Sequence, residues 1–176
     1  VKVRYAQSAL GVGWAIIQPL ASMAVFTVIF GRLAKVNSDG QAYAIFAFAA
    51  LVPWTYFSNA LQQGTASLSK NANLLSKVYF PRLIIPMSEV TARLVDFLIA
   101  FIILLVMLPI YGKTPNAGLL AIPLLVAISV AAASGVAMAL GALSIQYRDV
   151  NHAVGFAVQL LMYAAPVVYS VNIIPE

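Results

Sequence analysis

Residues 114–147 read TPNAGLLAIPLLVAISVAAASGVAMALGALSIQY, the longest stretch of this chain without a charged side chain. It holds 34 residues, between Lys113 and Arg148. A helix needs about 20 apolar residues to cross roughly 30 Å of hydrocarbon. The stretch is therefore long enough to predict a transmembrane helix.

Other uncharged runs are spread along the rest of the chain. They hold 27 residues after Arg4, 30 after Asp39, 16 after Asp96 and 26 after Asp149. Of all residues, 62% are hydrophobic and 9% are charged, whereas soluble domains carry about 25% charged residues. A soluble protein of this composition would have too few polar side chains to cover its core. The sequence thus predicts a polytopic membrane protein.

The predicted fold class is all-α, a polytopic transmembrane helical bundle. Lipid offers no partner to unpaired backbone groups, so a spanning segment is a helix or a strand of a closed barrel. The alternating pattern of barrel strands is missing from the sequence. The five predicted spans are residues 13–30, 43–62, 86–111, 119–143 and 153–171. Because the chain opens without a methionine and stops after an apolar run, we expect a fragment of a longer protein.

The distribution of positive charge predicts the orientation of these spans. With a cytosolic N-terminus, the inner segments carry six Lys or Arg residues and the outer segments three. The inner residues are Lys2, Arg4, Lys70, Lys77, Arg82 and Arg148, and the outer ones are Arg32, Lys35 and Lys113. Inner loops of membrane proteins are enriched in Lys and Arg, so we expect the N-terminus in the cytosol. The same basic collar explains the net charge of +5 without a nucleic-acid partner.

The residue types exclude several kinds of chemistry. The chain has no cysteine and one histidine, His152, which excludes disulfides, thiolate sites and multi-histidine metal sites. The sequence also lacks a phosphate-binding glycine loop and a serine nucleophile elbow. We therefore predict no catalytic residue and no metal site. The alternative is a membrane enzyme that uses Arg148, Asp149 and His152 at the inner surface.

Two segments outside the spans have amphipathic character. Residues 1–11, VKVRYAQSALG, are basic at Lys2 and Arg4 and too short to span, which predicts an interfacial helix or the end of a soluble segment. Residues 71–80, NANLLSKVYF, lie in a predicted inner loop over residues 63–85. Their apolar side chains follow the three-and-four spacing of a helix. This helix either docks in a partner's groove or lies flat on lipid.

The third span carries charged residues. Its uncharged part of 16 residues is too short to cross alone, so the span is expected to begin near Pro86. Glu89, Arg93 and Asp96 then lie at the inner leaflet, on one helix face because their spacings are four and three. An unpaired charge there costs about 2.5 to 3.5 kcal/mol. We predict an internally neutralised ion-pair strut, with a proton or substrate relay as the alternative.

Small and aromatic residues have more than one interpretation. In the fourth span, Gly135 with Ala139 and Ala137 with Gly141 are small pairs four residues apart, typical of close helix packing. Aromatic residues near span ends are Trp14, Trp54, Tyr56, Phe57, Tyr163 and Tyr169. They form either interfacial belts or the lining of a sugar-conducting path.

Four segments together resemble a known family. KVRYAQSALGVGWAIIQPL begins at Lys2, NLLSKVYFPRLIIP ends at Pro86, QYRDV covers residues 146–150, and APVVYS is followed by IIPE. In this order and spacing, the chain resembles ABC-2 type transporter permeases that export O-antigen, capsular polysaccharide or teichoic acid. Such permeases have six spans, so the resemblance implies that five are present here and that an N-terminal extension and the sixth span are missing.

The resemblance also implies partners and site residues. Two permease copies would join two ABC ATPase subunits that bind ATP and Mg, so this chain would be no enzyme and hold no cofactor. Residues 71–80 match the ATPase-coupling helix, with Asn71, Leu74, Leu75, Lys77, Tyr79 and Arg82 as its site residues. Lys2, Arg4 and Tyr5 match the substrate entrance, where cations suit a lipid-linked pyrophosphate. Trp14, Tyr163 and Tyr169 match the channel lining, and Arg148 and Asp149 match the inner loop between spans four and five.

The predicted function is therefore ATP-driven export of a lipid-linked polysaccharide or polyol phosphate polymer across the bacterial cytoplasmic (inner) membrane. One alternative is an ABC-2 permease that exports a drug or a lipid. The other is a proton-coupled secondary transporter with Glu89, Arg93 and Asp96 as its relay.

Overall fold

The computed structural model describes residues 13–33, 42–72, 81–113, 117–165 and 167. Every regular element in these ranges is a helix, which confirms the all-α prediction. The elements are α1 (Gly13–Phe26), which continues as a π-helical segment (Thr27–Leu33), α2 (Tyr43–Lys70), α3 (Ile84–Ile110), a 3₁₀ turn (Ala117–Ala121) leading into α4 (Ile122–Gln146), and α5 (Asp149–Ala164).

Within the described ranges, four helical stretches are long and apolar enough to cross a membrane. They are Gly13–Gly31, Tyr43–Lys70, Ile84–Ile110 and Ala117–Gln146. At 1.5 Å per residue, the 28 residues of α2 extend about 42 Å. The predicted fifth span over residues 153–171 continues past α5 into residues outside the described part, so its full length stays a prediction.

Large apolar side chains are exposed along these helices. Ile110, Leu120 and Leu124 keep 73%, 85% and 64% of their surface accessible. Soluble monomers rarely expose continuous apolar surface on this scale. Contact with lipid accounts for the exposure, because hydrocarbon is as apolar as the side chains themselves.

Helix α2 continues further than the sequence predicted. The predicted loop over residues 63–85 was wrong for residues 63–70, which form the last two turns of α2. No proline interrupts these turns, and the Ser67 and Ser69 hydroxyls donate to the carbonyls of Gly64 and Ala66 within the same helix. The connection that remains between α2 and α3 is residues 71–83.

The described residues fall into two compact units. One comprises the described parts of Val1–Trp54, Val95–Asn116 and Leu161–Glu176, and the other comprises those of Thr55–Leu94 and Ala117–Leu160. In the first unit, Leu51 and Val167 are buried among partly buried residues that include Phe26, Phe30, Trp54 and Met162. In the second unit, Thr65, Val90 and Ala137 are fully buried.

Candidate functional site

The candidate site lies in the second unit, beside the predicted coupling segment. We define the α2–α4–α5 junction as residues 64–71 at the end of α2, residues 137–144 in α4 and residues 149–155 at the start of α5. Residues 71–80, the predicted coupling segment, begin where α2 ends.

Glycine brings α2 and α4 close together in this junction. A Cβ atom added to Gly64 would lie 2.8 Å from Ala137 Cβ, and one added to Gly141 would lie 3.2 Å from Leu68 Cδ1. Contacts under 3.0 Å are essentially never tolerated by a real Cβ atom. The pair Ala137 and Gly141, predicted from its spacing to pack closely, therefore faces α2.

Two hydrogen bonds join the three helices of the junction. The single proton of the Ser144 hydroxyl is shared between the Gly141 carbonyl of its own helix, at 2.8 Å from Oγ, and the Thr65 carbonyl of α2, at 3.3 Å. Asn151 Nδ2 of α5 donates to Ser69 Oγ of α2 at 3.3 Å. A side-chain hydrogen bond between membrane helices contributes about 0.6 kcal/mol to stability on average. These two bonds therefore add little to the stability of the permease, but they fix which residues of the helices lie opposite each other.

Polar contacts close the end of α2. The Ser67 carbonyl accepts from the Asn71 backbone amide at 3.1 Å and from Asn71 Nδ2 at 2.8 Å. Lys70 Nζ donates to Gln63 Oε1 at 3.2 Å. Asn71, predicted as a coupling residue, thus closes the helix from which the coupling segment starts.

The turn between α4 and α5 holds Arg148 and Asp149. The Tyr147 amide donates to the Leu143 carbonyl at 2.9 Å and ends α4, and the Val150 amide donates to the Tyr147 carbonyl at 3.2 Å as α5 begins. Arg148 and Asp149 are exposed, and Asp149 occupies the first turn of α5, where a carboxylate is favoured by the helix dipole. The Ser69–Asn151 bond brings this turn close to Asn71.

The three predicted strut residues lie on α3. Glu89, Arg93 and Asp96 are all half-buried and lie on the continuous helix Ile84–Ile110. Their pairing and a relay function stay predictions. Arg82, at the end of the connection from α2, is exposed.

The described aromatic residues predicted to line the channel have exposed side chains. Trp14, near the start of α1, is 50% exposed, and Tyr163, near the end of α5, is 57% exposed. Trp14 contributes to a surface groove of about 450 Å³ that runs along α1. The other lining residues are Ile17, Gln18, Ala21, Ser22, Val25 and Phe26. The groove is therefore one apolar helix face with two polar side chains.

Other predicted site residues lie outside the described part of the chain. They are Lys2, Arg4, Tyr5, Leu74, Leu75, Lys77, Tyr79 and Tyr169. Among the described residues, no group of three or more His, Asp or Glu side chains is placed to hold a metal ion.

Comparison with known proteins identifies the family. The sequence model described as ABC-2 type transporter matches residues 1–176. This chain belongs to the ABC-2 type transporter family. The permease is 31% identical over 177 aligned residues to a Klebsiella pneumoniae protein named O-antigen export system permease protein RfbA, covering 100% of this chain and 68% of the relative. A Myxococcus xanthus protein of the same name is 30% identical over 176 residues, covering 100% of this chain and 67% of the relative.

Sequence reasoning missed the polar residues that join the helices of the permease. Thr65, Ser69, Ser144 and Asn151 were not predicted as site residues, yet they supply both hydrogen bonds between helices of the junction. A signal does exist for Ser69 and Ser144, since hydroxyls in membrane helices commonly bond across helices. Thr65 contributes its backbone carbonyl instead. The residues that they meet, 79 and 82 positions away, cannot be read from the sequence.

Proposed function

We propose that this permease is the membrane-spanning subunit of an ATP-driven transporter that exports a lipid-linked polysaccharide or polyol phosphate polymer. The observation that carries the proposal is the match of all 176 residues to relatives named O-antigen export system permease proteins. The four membrane-length helices among the described residues would provide the scaffold for such a path. The proposed location is the bacterial cytoplasmic membrane, with the N-terminus in the cytosol.

In this proposal a separate ABC ATPase supplies the energy. The ATPase binds ATP and Mg, and residues 71–80 of the permease form the helix that docks on it, with Leu74, Leu75, Lys77 and Tyr79 among its contacts. Support comes from the junction, where α2 ends immediately before this segment and is tied to α4 and α5. A motor that moves the segment would therefore act on three helices together.

The polymer path is proposed to lie between two copies of the permease. Trp14 and Tyr163 are exposed aromatic side chains, and together with Tyr169 they would offer faces over which sugar rings can slide. An aromatic face offers a large apolar contact area and does not need a paired donor or acceptor on each sugar. Lys2, Arg4 and Tyr5 would receive the phosphate head group at the inner surface, because cations form short, strong hydrogen bonds with phosphate oxygens.

The test uses the full-length permease with its ATPase subunit in sealed vesicles that contain lipid-linked polysaccharide. We expect transfer of the polymer across the membrane with ATP, none with a non-hydrolysable analogue, and no change when an ionophore collapses the proton gradient. Transfer that continues without ATP but stops with the ionophore would instead support the proton-coupled alternative. ATP-driven transfer of a drug or free lipid, with none of the polymer, would overturn the proposed substrate.

A further inference from the structure

The hydrogen bond between Ser69 and Asn151 joins the end of α2 to the first turn of α5. Ser69 lies two residues before Asn71, where the proposed coupling segment begins, and Asn151 lies in the first turn of α5. We propose that these two are positioning residues, which transmit movement of the coupling segment to α5 during export. This inference rests on the proposed function and deepens it.

The packing of α2 against α4 makes such transmission possible. Gly64 and Gly141 leave no room between the helices, since an added Cβ atom at Gly64 would lie 2.8 Å from Ala137 Cβ. Closely packed interiors transmit displacement because they are not readily compressed. The end of α2 cannot shift into a void on the α4 side, so a load on residues 71–80 moves the junction as a whole.

The contact with α5 is of a different kind. There Gly155 leaves more space, because a Cβ atom added to it would lie 3.9 Å from Gln62 Oε1. The described contact of Asn151 with α2 is the polar one to Ser69 at 3.3 Å. In the described part of the chain, the buried Asn151 Oδ1 atom has no hydrogen-bond partner. Among the described contacts, the Asn151 amide is therefore held through its nitrogen, by the hydrogen bond to Ser69.

A bond of this length adds little to stability, yet it can control coupling. Removing it leaves the glycine packing of α2 on α4 intact, so the permease is expected to fold. What changes is how much of a displacement of α2 is transmitted to α5. Mutations in a coupling element alter the coupling between two sites by about twofold to thirtyfold even without ligand contact.

The experiment compares variants of the full-length permease assembled with its ATPase in vesicles. The measured quantity is polymer transferred per ATP hydrolysed, in vesicles matched for the amount of assembled permease and ATPase, so that loss of folded complex does not change this ratio. Ser69→Ala and Asn151→Ala are each expected to lower the ratio about threefold or more. The double variant should be no worse than the stronger single variant, since both remove the same bond.

The matched control is Ser67→Ala. Ser67 lies on the same helix two residues away, and its hydroxyl donates within α2, to the Gly64 carbonyl, so the ratio should stay at the wild-type value. Ser69→Thr keeps the hydroxyl and should restore the ratio.

An unchanged ratio in both Ser69→Ala and Asn151→Ala, with wild-type transfer driven by ATP, would overturn the positioning role and leave the proposed function standing. Equal loss in Ser67→Ala, or additive losses in the double variant, would also overturn it. Wild-type transfer that does not need ATP would reject the proposed function itself.

Discussion

Gly64 lies on α2 and Gly135 lies on α4. The space around the two glycines differs. At Gly64, an added Cβ atom would lie 2.8 Å from Ala137 Cβ and 3.3 Å from Val90 Cγ2. At Gly135, no atom lies within 4 Å of the same position. Both residues are inside helices, so alanine gains about 1 kcal/mol of helix propensity at either position. The surroundings alone decide the net effect.

We predict that Gly64→Ala destabilises the permease, because overpacking costs about 1 to 3 kcal/mol and exceeds the gain in propensity. Gly135→Ala should keep or raise stability. Gly141→Ala should fall between them, since the group that it meets is the mobile Leu68 side chain at 3.2 Å. Thermal unfolding in detergent, followed by circular dichroism, measures the order. Equal melting temperatures for all three variants would contradict the close approach of α2 and α4.

The predicted coupling segment, residues 71–80, follows directly after α2. Leu75 and Tyr79 lie four residues apart, so in a helix they share the apolar face proposed to dock on the ATPase. We predict that replacing both with Asp separates the ATPase from the membrane, because losing a buried contact residue costs about 2 kcal/mol or more. Co-purification of the two subunits measures this.

Ser76→Asp is the control for that experiment, since it adds a charge to the same segment outside the apolar set of residues 74, 75, 78 and 79. ATPase recovery should match that of the unmodified permease. Full recovery with the Leu75 and Tyr79 double variant would show that this face does not hold the motor.

The exposed face of α1 is the element through which the proposed polymer path can be probed. Trp14→Ala should lower polymer transfer about fivefold, because an aromatic contact contributes roughly 1 kcal/mol. Ile16→Ala is its control, since Ile16 is 42% exposed and lies outside the groove. Transfer rates at equal permease content measure the difference. Equal rates for the two variants would remove Trp14 from the path.

Three exposed cations allow the predicted orientation of the whole permease to be tested. Arg82 precedes α3, Lys113 follows it, and Arg148 follows α4, so successive residues should lie on alternating sides of the membrane. The chain has no cysteine, and single Cys variants therefore report one position each.

We predict that Lys113→Cys reacts with a membrane-impermeant maleimide in intact cells, whereas Arg82→Cys and Arg148→Cys react only after permeabilisation. The physical reason is the excess of Lys and Arg in cytosolic loops. Labelling of Arg82→Cys in intact cells would place the coupling segment outside and contradict ATPase docking.

Hydropathy was sufficient to predict the helices because lipid imposes its requirement on each segment separately. The spans near residues 13, 43, 86 and 119 all correspond to helices in the structure, since burying about 20 apolar residues in hydrocarbon does not depend on their neighbours. The contacts of the candidate site could not be predicted in this way. Asn71, Arg82, Arg148 and Asp149 were predicted as site residues from the resemblance and their roles stay predictions, whereas their surroundings were not predicted at all.

Composition and charge spacing were enough for the membrane class and the helical fold, because these depend on residues counted along the chain, whereas the family was predicted from the resemblance of four segments. Contacts across 79 and 82 positions, Ser144 with Thr65 and Asn151 with Ser69, were settled only when the helices packed. In each case the deciding partner lies on another helix, and no local pattern specifies which faces meet.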